Sequence, residues 1–531
     1  MNLEEQSDER VRAATVEMSA SSESEPGNQS LPDRPLMQLY NTLSGQVETL
    51  APSDGNALRM YACGPTVYDF GHIGNFRTFL QVDVLRRAMR LLGTQVRHVM
   101  NITDVDDKII RNATAAGMDI DAYTRKYQEA FFEDLDALRV EHPEVVARAT
   151  EHIPAMVALI ERLAAQDIAY RAEDGSWYFR IARFPEYGKL SKKDFSGITD
   201  GARIDVDEYE KDSARDFALW KAPKPGEHQW ETALGPGRPG WHIECSAMAM
   251  QYLGESFDLH AGGEDLMFPH HENEIAQSES ATHRTFARHW FHVRFLLVEG
   301  RKMSKSEGNF YTLRDLLLRG YKASAIRMLL ISAPYRQQLN FTFEGLAAET
   351  IAVERLRTFR DRIAQTRWPT RPTTDGGASE IQHVARETNA KFLEALTDDL
   401  NTARALAAIF DMVRFVNARG DAGQFFASDQ AEVLDALAQF DRVFAVLEDH
   451  DAEWTRFTLD WAEREGKLDQ AAPEVLATRG VTDTQIQTLV EERDQAKRRR
   501  DFKRADTIRN QLGGMGILLE DSKEGTRWKR K

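Results

Sequence analysis

The chain has 531 residues, more than one hydrophobic core can organise, and that length corresponds to about three domains of ordinary size. Its 42% hydrophobic and 29% charged residues exclude a wholly disordered, collagen-like or coiled-coil protein, and no apolar run of roughly eighteen residues predicts a membrane span. With 68 Lys and Arg against 84 Asp and Glu the net charge is −16, a poor match to nonspecific nucleic-acid binding unless cations cluster locally, and two cysteines exclude a disulfide scaffold.

Residues 1–36 include "MSASSESEPGNQS", rich in Ser and Glu, and lack the apolar segment of a signal peptide. They predict a disordered tail. Without an export signal a cytoplasmic location is expected, where thiols stay reduced. "LRMYAC" (58–63) predicts a buried strand, "GPTVYDFGHIGN" (64–75) a loop, "FRTFLQVDVLRRAMRLLG" (76–93) an amphipathic helix and "TQVRHVMNI" (94–102) a second strand. Strand, helix, strand is one βαβ unit of a parallel sheet. Helical text continues to about residue 165. "SWYFRI" (176–181) predicts a strand in an insertion, and 222–240 a long loop. Sheet signals return at "FDLHAG" (257–262) and "HVRFLLVEG" (292–300). Beyond 320 the apolar spacing is helical, as in "DDLNTARALAAIFDMVRFVN" (398–417), and suggests a bundle. A polar stretch at 466–474 precedes a small C-terminal unit.

Four signals carry chemistry. His72-Ile73-Gly74-Asn75 stands where a helix begins, and a helix N-terminus offers unpaired N–H groups and positive dipole to phosphate. Gly74 permits close approach of a ribose or base, and His72 and Asn75 supply hydrogen-bond donors. The bland alternative is a capped helix with a loop histidine. Lys302-Met303-Ser304-Lys305-Ser306 follows a predicted strand as a cationic loop able to close on a triphosphate; the alternative is a solvated basic turn. The two cysteines, Cys63 and Cys245, each adjoin another signal, and "FPHHENE" (268–274) places His270 and Glu274 four apart on one helical face. Two thiolates, an imidazole and a carboxylate suit zinc, with His271 as a competing ligand. Finally, residues 493–531 hold 13 Lys and Arg against 6 Asp and Glu, a net of +7 against −23 for the preceding 492. With Trp528 among the last cations, this reads as an RNA-contacting patch or as a solvated tail.

The segments "YACGPTVYDFGHIGNFRTF", "NITDVDDKII", "DFALWK", "GWHIECSAMAM", "DLHAGGEDLMFPHHENEIAQSE" and "KMSKSEGNFYTLRDLL" together resemble the cysteinyl-tRNA synthetases, class I aminoacyl-tRNA synthetases. The resemblance covers about residues 37–531 and implies an α/β fold. It implies a Rossmann-type parallel-sheet catalytic domain over 37–320 with an insertion near 150–235, a helical bundle over 321–465 and a small anticodon-recognition domain over 466–531. It implies one zinc ion per chain on Cys63, Cys245, His270 and Glu274. It also implies ATP contacts from His72, Gly74, Asn75 and Lys305, catalytic roles for His72, Asn75, Lys302 and Lys305, and amino-acid contacts from Thr103, Trp241 and Asp265. The expected partners are ATP with Mg2+, L-cysteine and its tRNA, with no membrane, and a monomer is expected. Asn75 departs from the family's usual His. The expected reaction forms cysteinyl-adenylate and then charges tRNA. A cysteine ligase acting on an amino sugar and a noncatalytic tRNA-binding paralogue are the competing readings; the C-terminal unit speaks against the first, and His72 with Lys305 against the second.

Overall fold

The computed structural model describes residues 35–193, 203–204, 216–224, 227–372, 378–479, 483–522 and 525–530. Residues 1–34 of the expected tail, and all but two residues of 194–215 in the expected insertion, lie outside them.

Strands β1 (Ala57–Ala62), β2 (Gln95–Ile102), β3 (Val145–Arg148), β4 (Phe257–Gly263) and β5 (Ala287–Val293) form one parallel sheet in the order β5-β4-β1-β2-β3. All seven residues of β4 are buried, as a strand covered on both faces requires. The chain runs outward from β1 to β3 and then returns to start β4 on the other side of β1. The crevice outside the carboxyl ends of β1 and β4 is therefore the topological switch point, the usual ligand position in open α/β sheets.

Helix α1 (Ile73–Leu91) joins β1 to β2. It starts three residues before the predicted Phe76, because His72 and Asn75 close a reciprocal cap around its first turn. Helix α2 (Trp241–Leu253) precedes β4, and α3 (Glu272–Thr282) lies between β4 and β5. Before α2 stands an antiparallel group of Ala169–Arg171, Trp177–Phe179, Asp216–Lys221 and Arg238–Pro239, with Arg203–Ile204 pairing parallel at its side. The predicted strand at 292–300 is two strands in two sheets. β5 ends at Val293, the Arg294 N–H donates to the Tyr335 carbonyl, and Leu296–Val298 pairs with Leu339–Phe341 and Arg301–Lys302.

Long helices Phe343–Gln365, Glu380–Thr397, Thr402–Asp421, Gln430–Phe444 and Asp451–Arg464 follow. The helix predicted from 398 begins at Thr402, since Asp399 and Leu400 are left-handed and Asn401 caps the Arg404 N–H. At the C-terminus, helices Asp483–Arg498 and Phe502–Gly514 and a hairpin of Ile517–Ser522 with Gly525–Arg530 enclose their own core of Ile486, Val490, Ile508, Leu512 and Ile517. Among the described residues, no helix is long and apolar enough to cross a membrane.

Arg327, on helix Ala323–Ser332, ties the sheet layer to the helices. Its buried guanidinium donates to the carbonyls of Phe444 (2.5 Å), Leu138 (2.8 Å) and Arg139 (3.1 Å) and to the Asp83 carboxylate on α1 (2.7 Å). Burial pushes the Asp83 carboxyl up, but Arg327 and Arg87 bring it below the usual carboxylate range. Arg327→Met keeps apolar volume and leaves several buried acceptors without this donor. We expect a loss of about 3–5 kcal/mol in urea unfolding; a loss under about 1 kcal/mol would show that the network adds little beyond packing.

Candidate active site and metal centre

A cavity of about 520 Å³ opens at the switch point. Its wall includes Cys63 and the loop after it, His72, Asn75, Trp241, Asp265 and Lys305. This volume suits a nucleotide with a small amino acid.

At one end lies the α1 N-terminus. His72 Nδ1 accepts the Asn75 N–H (3.1 Å), and Asn75 Oδ1 accepts the His72 N–H (3.2 Å). With Nδ1 an acceptor, the ring proton sits on Nε2, and the amide Nδ2 of Asn75 remains a donor. Burial lowers His72 to about 4, helped by Lys305, so the ring is a neutral donor near pH 7. Asn75 thus fixes the tautomer of His72 while adding no charge of its own. The lysine-rich loop covers this end. A Cβ at Gly74 would stand 3.2 Å from Met303 Cε, and Lys305 Nζ lies over the Phe310 ring, which meets His72 edge-on. Lys305 Nζ donates to Asp69 Oδ2 at 2.7 Å, and that bond raises its pKa. Donors and an exposed cation near a helix N-terminus can hold phosphate and meet charge developing on a leaving pyrophosphate.

At the other end lie the thiols. Cys63 follows β1 directly and Cys245 stands in the second turn of α2, with their sulfurs 3.9 Å apart. A wide turn at Met267–His271 leads into α3 and sets His270 Nε2 3.2 Å from Glu274 Oε1. Cys63 Sγ is 3.7 Å from the same oxygen. Tetrahedral zinc with ordinary bond lengths separates its ligands by about 3.3–3.8 Å, so the set fits. Burial pushes the Cys245 thiol up, but Cys63 and His270 beside it bring it down to about 6. Burial depresses His270, while Cys245 and Glu274 push it up to about 10. Two buried anions thus demand a cation between them, and a proton on His270 meets the demand that a soft divalent metal would meet. Cys63, His260, His271 and Glu274 also lie within 4.8 Å of one another. That second set is deeper: His260 stacks on Trp290, whereas His270 lies against Trp241 at the cavity wall.

His72, Asn75, Trp241, Asp265, Lys305 and Cys63 therefore share one cavity, with Cys245, His270 and Glu274 buried behind it. Gly263 lets Asp265 fold over the end of β4, since a Cβ there would stand 2.4 Å from Asp265 Oδ1. Lys302 is exposed on its short strand and does not line the cavity. Thr103 is buried behind the wall, bridged to Thr66, with its hydroxyl donating to Glu244. Sequence reasoning missed Asp69, His242, His260 and His292. His242 Nδ1 meets His270 Nδ1 at 2.9 Å, His260 Nε2 meets Glu274 Oε2 at 2.9 Å, and His292 Nε2 meets His271 Nδ1 at 2.8 Å. A histidine in a strand that is otherwise apolar but for Asp258, as in "FDLHAG", was the available signal, because a buried ring nitrogen needs a partner.

Comparison with known proteins agrees with this architecture. Residues 49–350 match the family model of the tRNA synthetases class I (C) catalytic domain, and residues 391–447 match the DALR domain. The cysteine–tRNA ligase of Koribacter versatilis is 59% identical over 498 residues, covering 93% of this chain and 100% of that protein. That of Solibacter usitatus is 54% identical over 495 residues, covering 93% and 100%. The solved methionyl-tRNA synthetase of Mycobacterium tuberculosis bound by methionyl-adenylate shares the fold, with a TM-score of 0.54 and 16% identity over 81% of this chain and 95% of that one. With catalytic sheet, thiol pair and near full-length identity in agreement, the chain belongs to the cysteine–tRNA ligases of the class I aminoacyl-tRNA synthetase family.

Proposed function

We propose that the chain ligates L-cysteine to its tRNA in two steps. The cysteine carboxylate attacks the α-phosphate of ATP, which enters with Mg2+, and pyrophosphate leaves. A terminal ribose hydroxyl of the tRNA then attacks the activated carbonyl and AMP departs. The observation that carries this reading is the juxtaposition at one cavity of a donor-bearing helix N-terminus and, behind its wall, a buried two-thiol donor set.

Cys63, Cys245, His270 and Glu274 would hold zinc, a Lewis acid that favours a thiolate over the hydroxyl of serine. A hydrophobic pocket alone separates close analogues by only about 1–3 kcal/mol, so sulfur-specific ligation makes an editing site unnecessary. Asp265 gives the substrate ammonium a carboxylate partner, and Trp241 encloses the side chain against His270. His72 Nε2–H, Asn75 Nδ2 and the first N–H groups of α1 donate to the phosphates. Lys305 leaves Asp69 for the departing pyrophosphate. No side-chain nucleophile is needed; position and charge compensation are the chain's contribution.

Residues 466–531 serve the anticodon end of the tRNA in this reading. They carry the basic run, an independent core, and Trp528 held by Nε1–H donation to Gln487. The test is cysteine-dependent ATP–pyrophosphate exchange and tRNA charging, for the full chain and for a chain ending at Arg479. The full chain should exchange with cysteine and not serine, and should charge tRNA. The shortened chain should keep exchange and lose charging in a salt-sensitive way. Absence of exchange by the full chain would refute the proposed activation, and equal charging by both would refute the role of the C-terminal unit.

Lys305→Ala should lower the single-turnover rate of adenylate formation by about 10²–10³-fold with cysteine affinity little changed, because the lysine meets charge that exists only as pyrophosphate leaves. An unchanged rate would remove Lys305 from the chemistry.

A further inference from the structure

We infer that Asn101, Thr103 and Glu244 form a buckle that sets the spacing of the two thiols, making these three the positioning residues of the metal centre. The inference rests on the reading of Cys63, Cys245, His270 and Glu274 as metal ligands.

The two cysteines are 182 residues apart in sequence and sit on different elements. Their covalent neighbours are joined through the end of β2. The N–H of Gly64, next to Cys63, donates to Asn101 Oδ1 at 2.8 Å. Asn101 Nδ2 donates to Thr103 Oγ1 at 3.2 Å, and Thr103 Oγ1 donates to Glu244 Oε2 at 3.0 Å. Glu244 directly precedes Cys245. Asn101 and Thr103 are each 1% exposed and Glu244 0%, so water does not compete for these bonds.

Two features make the buckle rigid. A Cβ on Gly64 would stand 1.7 Å from the Asn101 carbonyl oxygen, so only glycine lets the chain beside Cys63 lie against the end of β2. Thr103 is also fixed by its backbone: its N–H donates to the Pro65 carbonyl, and its carbonyl accepts the Val67 N–H, both at 3.1 Å. The loop that carries Cys63 is thus held at three points along its first residues.

The donor order also specifies what Thr103 can offer. Its single proton goes to Glu244 and one lone pair takes the Asn101 amide, so any remaining capacity is that of an acceptor. An acceptor suits an ammonium group and cannot donate to a carboxylate. Thr103 is buried behind the cavity wall, so it acts through the thiols it spaces. Groups that orient metal ligands without touching the metal commonly change metal affinity by about 10–100-fold when removed.

The experiment uses the full-length zinc-loaded chain and measures zinc affinity by chelator competition. The visible spectrum of the Co2+-substituted chain and the thermal unfolding midpoint accompany each variant. Thr103→Val keeps the side-chain shape and removes both hydrogen bonds. Thr103→Ser keeps them. Glu244→Gln keeps an acceptor for the hydroxyl and Glu244→Ala does not. We expect Thr103→Val and Glu244→Ala to weaken zinc binding at least about tenfold and to alter the Co2+ spectrum, with Thr103→Ser and Glu244→Gln near the parent chain. Rescue by the conservative pair separates positioning from a general loss of fold. Parent-like zinc affinity and Co2+ spectrum in folded Thr103→Val would overturn the inference while leaving the ligands in place, provided Cys63→Ser still loses zinc. A parent chain that binds no zinc would overturn both. Equal zinc loss in Thr103→Val and Thr103→Ser would also overturn the inference, since the hydrogen bonds would then be irrelevant.

Discussion

Four metal-type donors from distant parts of the chain must meet where all four are buried, and much of the architecture answers to that constraint. Cys63 and Glu274 lie 211 residues apart yet come within 3.7 Å. An uncompensated thiolate or carboxylate in such a place is costly, so the cluster is stable only with a cation among its members and with polar support around it. The support is visible in the ring of buried histidines, each bonding another ring, a carboxylate or a hydroxyl. The parallel sheet makes the meeting possible. β1 and β4 are adjacent and point the same way, and β4 runs only two residues past the end of β1, so Cys63 and the turn after Gly263 arrive at one end of the sheet.

The opposite end of the cavity obeys a different electrostatic rule. A helix terminus rather than many formal charges makes it electropositive, an arrangement that suits an anion without demanding a fixed counter-ion. The reciprocal cap explains how asparagine serves at position 75. Its carbonyl satisfies the His72 N–H and its backbone N–H takes the His72 ring nitrogen, so the ring points a proton outward. The Asp69 contact gives Lys305 an exposed ion-pair partner, and pairs of this kind are weak enough to yield.

Much of the sheet was legible in the sequence because β1, α1 and β2 follow one another within 46 residues, with strand and helix periods that differ plainly. The run at 292–300 was not divided into two strands, since the charged residue inside it, Arg294, fits the outward face of one continuous strand as well as the point where the partner changes. The late start of the helix at Thr402 escaped because Asp399 and Leu400 are ordinary helix residues held left-handed by tertiary contacts, among them Tyr335 and Arg336 on Asp399. In the site, short motifs with a local rationale could be read: the loop of His72 to Asn75 that leads into a helix, the paired His270 and Glu274, the cationic loop. For His260 and His292 the sequence could show at most a polar residue in a strand and not its partner, because their partners come from other elements. Asn101 and Glu244 were hidden for the same reason.

The central claim is that this buried donor set recognises sulfur. The most direct measurement is the charge-transfer absorption of the Co2+-substituted full-length chain titrated with cysteine and with serine, without ATP. The account predicts an added thiolate-to-metal band with cysteine and none with serine. Identical spectra with both amino acids would contradict it, because the thiol would then be chosen by some other part of the cavity.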